Sequence, residues 1–516
     1  MPNKQLVLEH TPECKHKDFQ SVLAPEDFDD VQGDILLQFP KRTEDFVFFH
    51  ILNIEKFREA LKLLLEAGKI SSTSKVKKDR EEIAEWKNTK QQGLKVVENT
   101  NISFTYSGLK KLGFNVEDLP ESGRKILEKG QLKDAASLHD LLEDKKPKPE
   151  DKISRAWDKV FKDGHDRIDG VLLIASESAE TVNKCRSQIQ KDLEGHIEVV
   201  HHIHGDTRAD VKENGESLKD HEHFGWKDGI SNPWLEGVFC TCRRIPEQPI
   251  IQPGTILVGY PNKHNQSNKL DKKNLARNGS YLVFRKIDQL VPEFHKWLQD
   301  NPVPLNRLDF PEISDDELRK RGAELRGAQL VGRWKKGTPL ERSHHGDDPS
   351  VWGDPKEINK FGFTLGNRDI CPFSAHIRKM NPRDDQLDFG KNFLVRAGIT
   401  YGEEVTESEK SKHKTNPKSS RGLAFVSYQA DIDAGFRFQQ TSWANEKVFP
   451  PTGPMEFGPT GLDPLIGQTG NEDIRPETLD TKGNTLTLEQ FVIARGGVYC
   501  FTPSIKALKN IADGTS

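Results

Sequence analysis

The sequence predicts an α+β protein made of two ferredoxin-like units, each a β-α-β-β-α-β run giving an antiparallel sheet with helices on one face. Three observations predict this. Short runs rich in aromatic and branched residues read as strands, helically spaced apolar segments lie between them, and the same order is met twice, over 200 residues apart.

The first ~28 residues are polar and read as an arm. FVFFHILNI (46–54) reads as a buried strand and FREALKLLLEAGKI (57–70) as an amphipathic helix. NISFTY (101–106) and GVLLIAS (170–176) are the next two strands, separated by a charged insertion that includes the Pro-broken KKPKPEDK (145–152). SAETVNKCRSQIQKDL (178–193) is a helix and HIEVVHHIH (196–204) closes the first unit.

In the second half SYLVFRKI (280–287) is a strand, and PEFHKWLQDN (292–301) opens a helical section running past Leu330. NFLVRAGITYG (392–402) and GLAFVSYQ (422–429) read as two strands joined by a charged loop. DIDAGFRFQQTSWAN (431–445) reads as a helix and FVIARGGVYCFTPS (491–504) as the last strand. The expected organisation is an arm over 1–28, a first unit over 29–237 and a second over 238–516. The Gly/Pro-rich GWKDGISNPWLEG (225–237) lies between the units, and irregular segments of that kind usually carry function.

A net charge of −4 gives no global basic field, which argues against wholesale nucleic-acid binding. No apolar run is long enough to span a bilayer. No signal peptide is visible at the N-terminus, so an intracellular protein is slightly favoured over a secreted one whose leader has been removed. Six cysteines (Cys14, Cys185, Cys240, Cys242, Cys371, Cys500) form neither a disulfide framework nor a CxxCH motif.

Certain residues sit oddly in these elements. Arg396 lies mid-strand among apolar neighbours, and a buried guanidinium needs an anionic or strongly polar partner, whether a structural carboxylate or a ligand. Leu423 and Phe425, two apart on a strand, face the same way; beside the Arg396 strand they would wall a cavity, and otherwise they are ordinary core. Asp228 lies in GWKDG, either an Asx turn or a ligand loop whose glycines let backbone approach closely. His376, in CPFSAHIRKMNPR, is by default a satisfied core histidine. His202 and His204 share a strand face and make a weak candidate metal pair, with no carboxylate or cysteine at the usual spacing.

Together these segments resemble the dye-decolorising (DyP-type) peroxidases, particularly the longer fungal-like members. The resemblance runs from about Asp29 to near the C-terminus. It is carried by QGDILLQFPK, GWKDGISNP (the family's GxxDG), NGSYLVFRKIDQ, GRWKKGTPL, CPFSAHIRKMNPR, LVRAGITYG, RGLAFVSYQADI and GLDPLIGQ in that order. It implies one non-covalent haem b per chain between the two ferredoxin-like units, with His376 as axial iron ligand and Asp463 orienting it. It also implies Asp228 as acid–base, Arg396 beside the peroxide or a haem propionate, and Leu423 and Phe425 walling the pocket.

The implied activity is reduction of hydrogen peroxide with one-electron oxidation of dyes, phenols and related aromatic reductants. An Asp acid–base titrates near ~4 against ~6.5 for His, which favours acidic pH. Bulky reductants do not reach a buried iron, and the resemblance implies Tyr401 and Trp443 as radical sites, with structural packing the alternative for each. Three rivals stand beside this: a haem-handling or storage protein, a metal hydrolase built on the histidine cluster, and a pure interaction protein.

Overall fold

The computed structural model describes residues 23–146, 149, 152–213, 215–238, 246–264, 269–385, 390–453 and 456–516. Cys14, Cys240, Cys242 and most of the expected arm lie outside them. Within that arm, Leu23 is buried and Pro25–Asp30 is helical, so the chain is already packed before residue 28.

Four strands form the first unit: β1 (Thr43–Ile51), β2 (Glu98–Phe104), β3 (Gly170–Ser176) and β4 (Ile197–Asp206). They lie in the antiparallel order β4-β1-β3-β2. The second unit has β5 (Ser280–Gln289), β6 in two pieces (Val395–Arg396 and Ile399–Tyr401), β7 (Gly422–Gln429) and β8 (Val492–Thr502), ordered β6-β7-β5-β8. Both orders are ferredoxin-like. The sheets join at two thin seams, Tyr401 with Gly205 and Phe501 with Phe104, which close all eight strands into one barrel and remove the free edges.

Closure explains why the strands are apolar on both faces. Phe46 and Phe48 point into the lumen, where Phe284 sits 5.1 and 5.0 Å from their ring centroids. Val47, Phe49 and Ile51 point outward and pack beneath helix α1 (Ile54–Glu66) and helix α2 (Ala179–Asp192). The lumen and the outer core each draw residues from both units, so neither unit has a core of its own.

Element boundaries moved for local reasons. The Asn53 side chain accepts from the Lys56 amide at 3.0 Å, so α1 starts at Ile54 where the strand had been expected to continue. The long helical section is two helices, α3 (Val291–Asp300) and α4 (Asp315–Val331), separated by a stretch containing Pro302, Pro304 and Pro311. The expected helix over 431–445 is a wide one, with Arg437 and Asn445 each donating to a carbonyl five residues back. Among the described residues, no helix is long and apolar enough to cross a membrane.

On the first unit α1 and α2 seal the outer sheet face. On the second unit part of the outer face of β5, β7 and β8 is left open to a cavity, lined from the sheet by Ile287, Leu423, Phe425 and Val492. The shared lumen makes a stability prediction. Phe284→Ala should cost roughly 3–5 kcal/mol and lower the denaturant midpoint of a single transition; separate transitions for the two halves would contradict a common core.

Candidate active site

The cavity is about 250 Å³, against roughly 10–15 Å³ needed to seat one water. It is therefore ligand-sized. The sheet forms one boundary, residues 222–233 of the segment linking the units form another, and helix α5 (His376–Met380) contributes His376, Ile377 and Met380.

His376 is the first residue of α5. Its Nδ1 is 2.9 Å from Oδ2 of the buried Asp463, whose Oδ1 accepts from the Leu465 and Ile466 amides at 2.8 and 2.9 Å. Two amides thus hold the carboxylate, and the carboxylate holds the ring. Burial works against a charged imidazole here, but Asp463 more than offsets it and raises the His376 pKa above its ordinary value. Among the described residues, nothing hydrogen-bonds Nε2, which is left to the cavity.

Asp228 and Arg396 also line the cavity. The Arg396 Nη1 donates to Asp228 Oδ1 at 2.9 Å, and the Gly229 amide donates to the same oxygen at 2.6 Å. Burial pushes the Asp228 carboxyl up, but Arg396, the Gly229 amide and the charge on His376 bring it below its ordinary value. The partner that Arg396 was expected to need is therefore the candidate acid–base itself. Gly225 and Gly229 have φ of 99° and 73°, and an added Cβ would meet nothing closer than 4.0 Å at either. These glycines serve backbone conformation and not close approach.

Leu423 and Phe425 both face the cavity, while the alternating Ala424 and Val426 enter the lumen. Four further residues had no assigned role in the sequence reading. Asn232 brackets Arg396, its Oδ1 accepting from the Arg396 amide at 3.1 Å and its Nδ2 donating to the Arg396 carbonyl at 2.9 Å. Glu222 shapes the Asp228 loop by accepting from the Phe224 and Trp226 amides at 2.7 and 2.8 Å. Arg333 and Arg383 line the cavity and donate to neutral groups: Arg333 to the Gly337 and Ile358 carbonyls, Arg383 to the Asn359 and Phe361 carbonyls. Neither is ion-paired with a carboxylate among the described residues. The signal was present, since each arginine sits in a motif quoted above, but nothing local says that it turns inward.

Other candidates fall away from this site. Tyr401 is buried on β6 with its hydroxyl on Asp288, and Trp443 is buried with its ring stacked on Phe449 at 5.3 Å. Neither lines the cavity or offers a bulky reductant a contact surface. His204 bonds to Asp45 at 2.5 Å and Asp206 at 2.9 Å, which raise its pKa to about 10, and His202 lies 3.2 Å from Asp45. The missing carboxylate came from the neighbouring strand and makes ion pairs. Among the described residues, no His, Cys, Asp and Glu group has the arrangement to hold a metal ion.

Residues 30–209 match the family model described as "DyP dimeric alpha+beta barrel domain". A dye-decolorizing peroxidase of Mycetinis scorodonius is 35% identical over 93% of this chain and 87% of its own. The chain belongs to the dye-decolorising peroxidases. A solved ancestral D-type dye-decolorizing peroxidase is 39% identical, with a TM-score of 0.80 over 95% of this chain and all of its own. A solved mutant of the Pleurotus ostreatus dye-decolorizing peroxidase is 36% identical, also with a TM-score of 0.80, over 94% of this chain and 99% of its own. The protein is thus a DyP-type peroxidase, an oxidoreductase that uses peroxide and a reducing substrate.

The ion pair sets a pH expectation. Because the folded-state pKa of Asp228 is depressed, the stability it contributes is present above the unfolded value of about 3.9 and is lost as pH falls through the folded value. Arg396→Leu removes the lowering influence, so the acid limb of kcat/KM for peroxide should move to higher pH. A limb that stays in place would contradict the pairing.

Proposed function

We propose that this chain would hold one non-covalent haem b in the cavity, with His376 as the residue holding its iron, and reduces hydrogen peroxide there with Asp228 as proton carrier. The observation that carries this reading is that one cavity is lined both by His376, held by Asp463, and by the Asp228–Arg396 pair.

The donor set fits the group. An imidazole whose Nδ1 is fixed by a buried carboxylate presents a lone pair at Nε2 and is made more basic by that bond. Leu423, Phe425 and Ile287 supply an apolar wall. Arg333 and Arg383 hydrogen-bond to neutral carbonyls, with Asp384 and Glu247 acting on Arg383 only through space, and the positive charge they bring to the cavity suits the two propionates. When bound, haem supplies the redox-active iron on which peroxide is reduced.

The chain's own residues then perform proton and charge work. The Asp228 carboxylate takes the proton from the near oxygen of peroxide and returns it to the far oxygen, so that water leaves. Arg396 keeps Asp228 ionised through Nη1, and its remaining N–H groups stabilise the charge that develops as the O–O bond breaks. The same groups are also within the chemistry of a propionate contact. Asn232 fixes the Arg396 backbone so that the guanidinium stays on the cavity. The reducing substrates we propose are bulky dyes, phenols and related aromatics, each giving one electron.

This reading is tested by stopped-flow mixing of the holoprotein with peroxide. Asp228→Asn should keep the haem spectrum and slow the reaction with peroxide by roughly 10²–10⁴-fold. An unchanged rate would remove Asp228 from the proton path. A haem-handling role would show as slow peroxide reaction in both proteins.

A further inference from the structure

We propose that Trp297 is a surface oxidation site for bulky aromatic reductants, joined to the cavity by Trp226 through the rings of Phe294 and Phe491. The inference rests on the peroxidase reading above and adds to it the place where a large reductant gives up its electron.

Trp226 stands two residues before Asp228 and lines the cavity. Its ring meets Phe294 edge-on at 5.8 Å, Phe294 meets Phe491 at 5.3 Å, and Phe491 meets Trp297 at 6.1 Å. Each centroid spacing is that of rings in contact, about 4.5–7 Å. Trp297 is the outer end: one side packs on this aromatic cluster and the rest is partly exposed. By contrast, Trp443 and Tyr401 are 2% and 5% exposed, so a dye in solution has no contact with either.

The chemistry of the series suits electron transfer. Indole is the aromatic side chain most readily oxidised without loss of a proton, so the two tryptophans can each hold a hole, whereas phenylalanine only bridges them by tunnelling. Tunnelling falls exponentially with the gap between rings, and here the gaps are van der Waals contacts. The Lys335 ammonium lies 5.6 Å from the Trp226 ring, and a cation at that range disfavours a second positive charge on the indole. A hole arriving on Trp226 is therefore driven outward. Each indole N–H donates to a carbonyl, Trp226 to Arg333 at 2.8 Å and Trp297 to Thr487 at 3.2 Å. A carbonyl is too weak a base to take that proton, so the oxidised ring stays a radical cation.

The balance closes on the established activity. Reducing one H2O2 to two waters consumes two electrons and two protons. A bulky phenolic reductant at Trp297 loses one electron to that ring and releases its proton to solvent, becoming a phenoxyl radical. One electron passes inward from Trp297 to Trp226 and on to the cavity, and one proton enters the cavity to match it. Two such passages give H2O2 + 2 ArOH → 2 H2O + 2 ArO•.

The test compares holoenzymes with a sulfonated anthraquinone dye and with guaiacol, a small reductant that the proposal does not route through Trp297. Trp297→Phe should lower kcat/KM for the dye about tenfold or more and leave guaiacol within about twofold. Freeze-quenched samples given peroxide alone should lose the Trp297 contribution to the tryptophan radical signal in the same variant and keep that of Trp226. Trp443→Phe should leave both reductants within about twofold. Unchanged dye turnover in Trp297→Phe, equal loss for both reductants, or loss in Trp443→Phe instead would overturn the proposal. Failure of the underlying reading shows differently, as wild-type holoprotein that oxidises neither reductant with peroxide.

Discussion

The site depends on the bond between the Asp463 carboxylate and His376 Nδ1. Two backbone amides fix the carboxylate, the carboxylate fixes the ring, and the ring's other nitrogen is turned into the cavity. Without Asp463 the imidazole would be free to turn about χ2 and to offer either nitrogen. The rest of the arrangement answers this placement. Asp228 and Arg396 neutralise one another on the same cavity, and Arg333 and Arg383 add cationic charge held on neutral carbonyls.

Duplication explains how such a site is supported. In the first unit α1 and α2 cover the outer sheet face with Phe57, Leu61 and Ile189. In the second unit only part of the corresponding face is covered, around Val283 and Tyr499, and the open part is the cavity. A protein cannot leave such a void in its core cheaply, and here the closed eight-stranded barrel supplies a separate, fully packed lumen. The opened face is stable because its support lies on the other side of the same strands.

Much of the fold was legible because strand period and helical spacing are local properties. Gly170–Ser176 and Gly422–Gln429 are strands over the residues read as strands, and Leu423 and Phe425 do share a face. What was not legible depended on partners distant in sequence. Arg396 announced that it needed an anion, but Asp228, 168 positions upstream, could be matched to it only by family resemblance. Asp45 reaches His202 and His204 through the register of a neighbouring strand, which no spacing within HHIH reveals. The inward turn of Arg333 and Arg383, the Asn232 clamp and the burial of Tyr401 and Trp443 likewise follow from tertiary packing. Barrel closure itself was hidden, since each seam is a single residue pair.

The most direct measurement is the absorption spectrum of the haem-free protein titrated with haemin, for the wild type and for His376→Ala, with and without added imidazole. The wild type should saturate at one haem per chain with the Soret band of a histidine-ligated haem. His376→Ala should lack that band and regain it when imidazole fills the space beside Asp463. A His376→Ala spectrum identical to the wild type without imidazole would contradict the account.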